Sequence, residues 1–144
     1  MGALVVRKGP RAGPKETVNR PVLLDSSFLI AFERETAAGV QGPAHTLLHA
    51  LRGRRLVVSV VGVAEILEGA AHPDAALAAL QRFSIQGVHI AQAQRCALMQ
   101  RRSKRRLGEN DAWLVATAES IDADVVGADR AAFERLGDRY LRFR

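Results

Sequence analysis

The sequence predicts an α/β fold of three layers, a central parallel sheet covered by helices on both faces. Two observations predict it. After residue 20, short apolar runs alternate with helical segments, the order that a parallel sheet with helical crossovers requires. The runs are also continuously apolar, as in Val22-Leu23-Leu24 and Leu56-Val57-Val58, so these strands are expected to be buried on both sides. A chain of 144 residues fits one domain and can bury a real core.

The elements follow in order. Residues 1–20 hold Arg7, Lys8, Arg11, Lys15 and Arg20 against Glu16 alone, among Gly and Pro. They are expected to form a flexible basic tail, with the folded domain over residues 21–144. Val22–Leu24 reads as a buried strand that stops at Asp25-Ser26-Ser27, residues that favour helix N-caps, and a helix follows over Phe28–Glu35. Pro43 stands near the first turn of a helix reaching Leu51, and Leu56–Ser59 is the second strand. Helices are expected over Val61–Ala71 and Pro73–Phe83, then a third strand over Ile85–Ile90. A long helix over Ala91–Leu107 ends at Gly108, and Asn110 caps the next, Asp111–Ile121. Val125-Val126 is a strand, Arg130–Leu136 a short helix, and Tyr140–Phe143 the last strand.

Composition removes several classes of function. The longest apolar runs are far too short to span a bilayer, and residues 1–20 lack a signal-peptide core, so a cytoplasmic protein is expected. Cys96 is the only cysteine and cannot form an internal disulfide, and the four histidines show no zinc spacing. His45 and His49 lie four apart without a third candidate ligand nearby, so they are read as surface or half-buried side chains. The net charge of +6 points to a polyanion, although the tail carries +4 of it and the other 124 residues only +2. Aromatics at 5% are too few for base-stacking platforms, so a nucleic acid would be gripped by its phosphates.

The acids are informative by position. Asp25 ends the first strand and Asp129 lies just past Val125-Val126, where ligands bind in an open parallel sheet. Asp111 opens a helix, whose free N–H groups and dipole favour an anion. Glu65 sits in the apolar stretch Val60 to Leu67, an unusual place for a solvated side chain. Taken singly, Asp25 and Asp111 serve as well for caps, Glu65 for an exposed helix acid like Glu68, and Asp129 for a turn. Four carboxylates together would repel one another and take up protons unless a cation neutralised them. Hard divalent cations prefer such oxygen ligands, and a metal-activated water suits phosphoryl chemistry. No G-x-S-x-G elbow is present, and Cys96 has no nearby His.

Four segments then become recognisable. Leu23-Leu24-Asp25-Ser26-Ser27-Phe28-Leu29-Ile30 resembles the opening motif of the PIN-domain family, and Ser59 to Gly69, with Glu65, its second. Asn110 to Ala118, with Asp111, is similar to the third, and Val126 to Phe133, with Asp129, to the fourth. Four motifs in order are a specific signal. The resemblance implies a PIN-like α/β/α fold with a central parallel sheet over residues 21–144. It also implies Mg²⁺- or Mn²⁺-dependent ribonuclease activity, with Asp25, Glu65, Asp111 and Asp129 as catalytic and metal-binding residues. By size the chain resembles the VapC toxins, which cleave RNA, form homodimers and are silenced by a cognate antitoxin. One position departs: the fourth motif carries Thr or Ser two residues before its Asp, and here Gly127 stands there.

Other chemistry fits less well. Phosphoryl transfer through Asp25 would need a second Asp where Ser27 stands, or a Lys late in the sheet, and Lys8, Lys15 and Lys104 are the only lysines. A non-catalytic RNA-binding or protein-interaction module on the same fold is the alternative, although such modules typically lose site acids. The run Arg101-Arg102-Ser103-Lys104-Arg105-Arg106 is either a solvated helix face or a contact for RNA phosphates, and its approach to Asp111 favours the second.

Overall fold

The apolar runs do become strands. A computed structural model describes residues 20–144 and places five strands, β1 (Val22–Leu24), β2 (Leu56–Ser59), β3 (Ser84–Gln86), β4 (Asp124–Gly127) and β5 (Tyr140–Arg142). They form one sheet in the order β3-β2-β1-β4-β5 with every pairing parallel. Between them run helices α1 (Ser26–Ala38), α2 (Pro43–Ala50), α3 (Val60–Gly69), α4 (Pro73–Leu80), α5 (Ile90–Arg102), α6 (Glu109–Ser120) and α7 (Arg130–Phe133), with a 3₁₀ segment over Glu134–Arg139. Among the described residues no helix is long and apolar enough to cross a membrane.

The period of two along each strand divides the core into two layers. Val22, Leu24, Val58 and Val126 face one side, where Phe28 and Leu29 of α1, Ala44 of α2 and Leu80 of α4 cover them. Leu23, Val57 and Val125 face the other and pack against Leu114, Val115 and Ala118 of α6 and Phe133 of α7. The expected three-layer α/β/α architecture is therefore observed. The sheet grows from β1 through β2 to β3 on one side and from β4 to β5 on the other. The side on which strands are added thus reverses between β1 and β4, which makes the cleft beyond their carboxyl ends the natural ligand site.

The opposite end of the sheet is closed by charge. Asp124 opens β4 and is 1% exposed. Its carboxylate accepts from Arg20 Nε at 3.1 Å and from an Arg54 guanidinium nitrogen at 2.5 Å, while Arg54 also donates to the Arg20 carbonyl. Of the tail expected over residues 1–20, only Arg20 lies among the described residues, and Asp124 holds it; residues 1–19 lie outside them.

Several boundaries differ from the sequence reading. The helix expected over residues 91–107 stops at Arg102, where the Ser103 hydroxyl donates to the Met99 carbonyl at 2.8 Å. The Gln100 side chain then clasps the backbone of Leu107, accepting from its N–H and donating to its C=O, both at 3.0 Å. Like charges along Arg101–Arg106 give the helix no i,i+4 support to continue. The third strand is shorter than 85–90, because Gln92 reaches back to the Gly87 carbonyl and the His89 N–H and starts α5 at Ile90. Asn110 does not cap α6, which begins at Glu109 with Gly108 in the cap position. His45 is a structural residue: it pairs with Glu35 at 2.7 Å and stacks on Phe32.

Asp124→Ala leaves two guanidinium groups beside an apolar strand, so it should cost about 3 kcal/mol or more of stability. Urea unfolding measures this, and a loss below about 1 kcal/mol would show that the Arg20–Asp124–Arg54 cluster is well solvated.

Candidate active site

Local chain geometry fixes each of the four acids. Asp25 is the N-cap of α1: the Ser27 N–H donates to its Oδ2 at 3.2 Å and the Ser27 hydroxyl to the same atom at 2.5 Å. Its own N–H donates to the Val126 carbonyl at 2.9 Å, which fastens it to the end of the neighbouring strand. Asp129 caps α7, its Oδ1 accepting from the Ala132 N–H at 3.1 Å. Asp111 stands in the first turn of α6, two residues further in than a helix starting at 111 would place it. Glu65 is half-buried on α3, and its Oε2 accepts from Asn110 Nδ2 at 2.8 Å. The capping role weighed for Asp25 and the turn-opening role weighed for Asp129 are thus both real.

The neighbours of Asp111 show in its proton affinity. The Asp111 carboxyl is pushed up to about 6, first by burial, then by the charges of Asp25, Asp129 and Glu65, and by a hydrogen bond with Asp129. Asp25 is raised as well, chiefly by burial and further by Glu65, with Ser27 partly offsetting the rise. Asp111 therefore lies within electrostatic reach of the other three acids, and Asp25 within reach of Glu65.

Two polar residues complete the site that position alone did not reveal. Ser27 joins motifs 101 residues apart: its hydroxyl donates to Asp25 and accepts from the Ala128 N–H at 3.0 Å. Asn110 braces Glu65 from α6. The small polar pair after Asp25 and the polar residue before Asp111 were the available signals, and cap propensity masked both.

Gly127 has a steric explanation. A Cβ built there would lie 2.6 Å from the Phe133 ring and 3.1 Å from the Asp25 Cβ, so any side chain would push apart β4, α7 and the first acid. The Tyr140 hydroxyl donates to the Gly127 carbonyl at 3.1 Å and closes the corner from β5.

The donor set, carboxylate oxygens with charges in need of neutralisation, matches a hard divalent cation. No three of the described His, Cys, Asp and Glu side chains stand close enough to hold an ion by themselves. Mg²⁺ usually takes only one or two carboxylates and completes its octahedron with water and phosphate oxygens.

A family model described as the PIN domain matches residues 22–139. No curated protein matches the chain. Among solved structures, the chain is similar to a toxin–antitoxin complex from Klebsiella pneumoniae, with a TM-score of 0.67, 22% identity, and 83% of this chain and 98% of that chain covered. It is similar to DNA-bound VapBC from Salmonella typhimurium at a TM-score of 0.66 and 18% identity, covering 87% and 99%. VapBC-1 from nontypeable Haemophilus influenzae gives 0.62 and 20%, covering 82% and 93%. At such identities the likeness is one of fold.

Because Asp111 binds its proton more tightly in the folded chain than in the unfolded one, its favourable contribution to stability is complete below about pH 4, the ordinary Asp range. That contribution is lost as pH rises through about 6. In EDTA at pH 7.5, Asp111→Asn should therefore raise the melting temperature, by about 2–4 °C if about 1 kcal/mol of repulsion is relieved. Near pH 4 the variant should gain nothing. Melting curves at both pH values check this, and equal effects at the two would mean that Asp111 does not feel its neighbours.

Proposed function

The chain belongs to the PIN-domain family, and from that premise we propose that it is a Mg²⁺- or Mn²⁺-dependent endoribonuclease, the toxin of a toxin–antitoxin pair. The observation that supports the reading is the placing of Asp25 and Asp129 just past the carboxyl ends of β1 and β4, each fixed as a helix cap and joined through Ser27, with their charges and that of Glu65 reaching Asp111. Acids that feel one another's charge are favoured by a neutralising cation.

Each residue has a definite task in such a reaction. Asp25 and Asp129 are held by backbone N–H groups, so their carboxylates keep fixed directions toward an ion and an incoming phosphate. Glu65 on α3 is oriented by Asn110, and its charge reaches Asp25 and Asp111. Asp111 would hold a cation only as the carboxylate, so its raised proton affinity would couple binding to proton release. Ser27 locks the first and fourth motifs together and so fixes the spacing across the cleft. Mg²⁺ or Mn²⁺ held there would supply a water of lowered pKa and charge neutralisation for hydrolysis of a phosphodiester.

The toxin role draws on the similar structures, which are toxin–antitoxin and VapBC complexes. A cognate antitoxin, homodimerisation and a cytoplasmic setting belong to this reading. A non-catalytic RNA-binding module remains the competing reading, and activity separates the two.

Purified protein should cleave single-stranded RNA with Mg²⁺ or Mn²⁺ and stop when EDTA is added. Asp25→Asn should lower the rate by about 10²–10³-fold, the scale of losing one electrostatic stabiliser, with an unchanged circular dichroism spectrum. Cleavage that survives EDTA and the substitution alike would overturn the metal mechanism, and RNA binding without any cleavage would favour the module.

A further inference from the structure

The break in α5 turns the basic run into part of the site. Helix α5 ends at Arg102, so Lys104, Arg105 and Arg106 ride on a loop that leads directly to Gly108 and the first turn of α6. Two clasps fix this loop. Gln100 holds Leu107 through both backbone groups, and an Arg135 guanidinium nitrogen donates to the Ser103 hydroxyl at 3.3 Å. Arg135 lies in the 3₁₀ segment directly after α7, the helix that Asp129 caps. At its far end, a Cβ on Gly108 would lie 3.8 Å from Asp111 Oδ2. The loop is thus anchored on one side beside Asp111 and on the other just beyond Asp129.

Its cations are exposed and mostly free. Arg101, Arg102, Lys104, Arg105 and Arg106 all face solvent. Among the described residues only Arg106 of the five has an acidic partner, Glu109 at 3.3 Å. Four exposed positive charges without an acidic partner, on a loop that ends beside Asp111, are more than solubility needs. They suit a ligand that carries one charge into the acid site and further charges alongside it. A nucleic acid backbone does this, with a phosphate at every residue.

We propose that the Ser103–Gly108 loop, with the last turn of α5, is the docking surface for RNA phosphates flanking the one that is cut. The proposal rests on the ribonuclease reading for the identity of its ligand and extends it by naming the surface that holds the strand. The clasps from Gln100 and Arg135 keep the cations in place before the strand arrives, so less side-chain and loop entropy is lost on binding.

The test uses the full chain with Asp111→Asn in every arm, so that a fluorescein-labelled single-stranded RNA of about 20 nucleotides, long enough to span several phosphates on either side of the site, stays intact. Lys104→Gln/Arg105→Gln is compared with Arg52→Gln/Arg55→Gln, a pair of exposed arginines beside the amino end of β2, at the opposite edge of the sheet. Both variants lose two charges. Fluorescence anisotropy is read between low and moderate salt. The loop variant should bind roughly tenfold more weakly near 0.1 M salt, and its slope of log affinity against log salt should fall by about 1.4, or about 0.7 for each phosphate left without its cation. The control should stay near the parent in both.

Equal losses in the two variants, or parent-like binding by the loop variant, would overturn the proposal. The ribonuclease reading is judged separately, by cleavage with Asp111 intact. A chain that never cuts RNA yet shows the loop-specific loss of binding upholds the docking surface while the nuclease reading fails. A chain that cuts RNA equally well with and without the loop charges sinks the docking surface alone.

Discussion

Strands that are apolar on both faces leave a sheet only its ends for polar chemistry, and this constraint organises the whole molecule. Val22, Leu23, Leu24, Val57, Val58, Val125 and Val126 are fully buried, so charge on the central strands is confined to their ends, as with Asp124 at the start of β4. Because every pairing is parallel, all the strand-to-helix turns fall at one edge, and each turn needs residues that can satisfy free helix N–H groups. Carboxylates are good at that task. The fold therefore places Asp25 and Asp129 at one edge for local reasons, and their charges, with that of Glu65, reach Asp111 in the first turn of α6. Capping fixes the direction of Asp25 and Asp129.

The two ends of the sheet solve the problem of charge in opposite ways. At the amino end, Asp124 is buried and neutralised by Arg20 and Arg54 of the chain itself. At the carboxyl end, four acids are gathered and the ion pairs of the described residues include none of them.

Most of the layer order, and the placing of Asp25 and Asp129 at strand ends, could be read from the sequence, because both rest on local patterns: continuous apolar runs, and polar residues where the runs stop. What escaped reading depends on contacts distant in sequence. The end of α5 is set by Gln100 reaching Leu107, a side-chain clasp that no periodicity encodes. The roles of Ser27 and Asn110 depend on Ala128 and Glu65, 101 and 45 residues away. Gly127 looked like the loss of a hydroxyl, whereas the Phe133 ring and the Asp25 Cβ leave no room for one. The pairing of Arg20 with Asp124 was equally hidden, since composition alone assigned Arg20 to the tail.

The central claim is that Asp25, Glu65, Asp111 and Asp129 form one site for a divalent cation. Crystals of the protein soaked in Mn²⁺ test it most directly, through the anomalous signal of the ion. The account predicts a peak at the carboxyl edge of the sheet, about 2.0–2.3 Å from oxygens of at least one of these carboxylates, with water or phosphate completing an octahedron. A crystal that binds Mn²⁺ elsewhere while these four carboxylates remain without it would contradict the account.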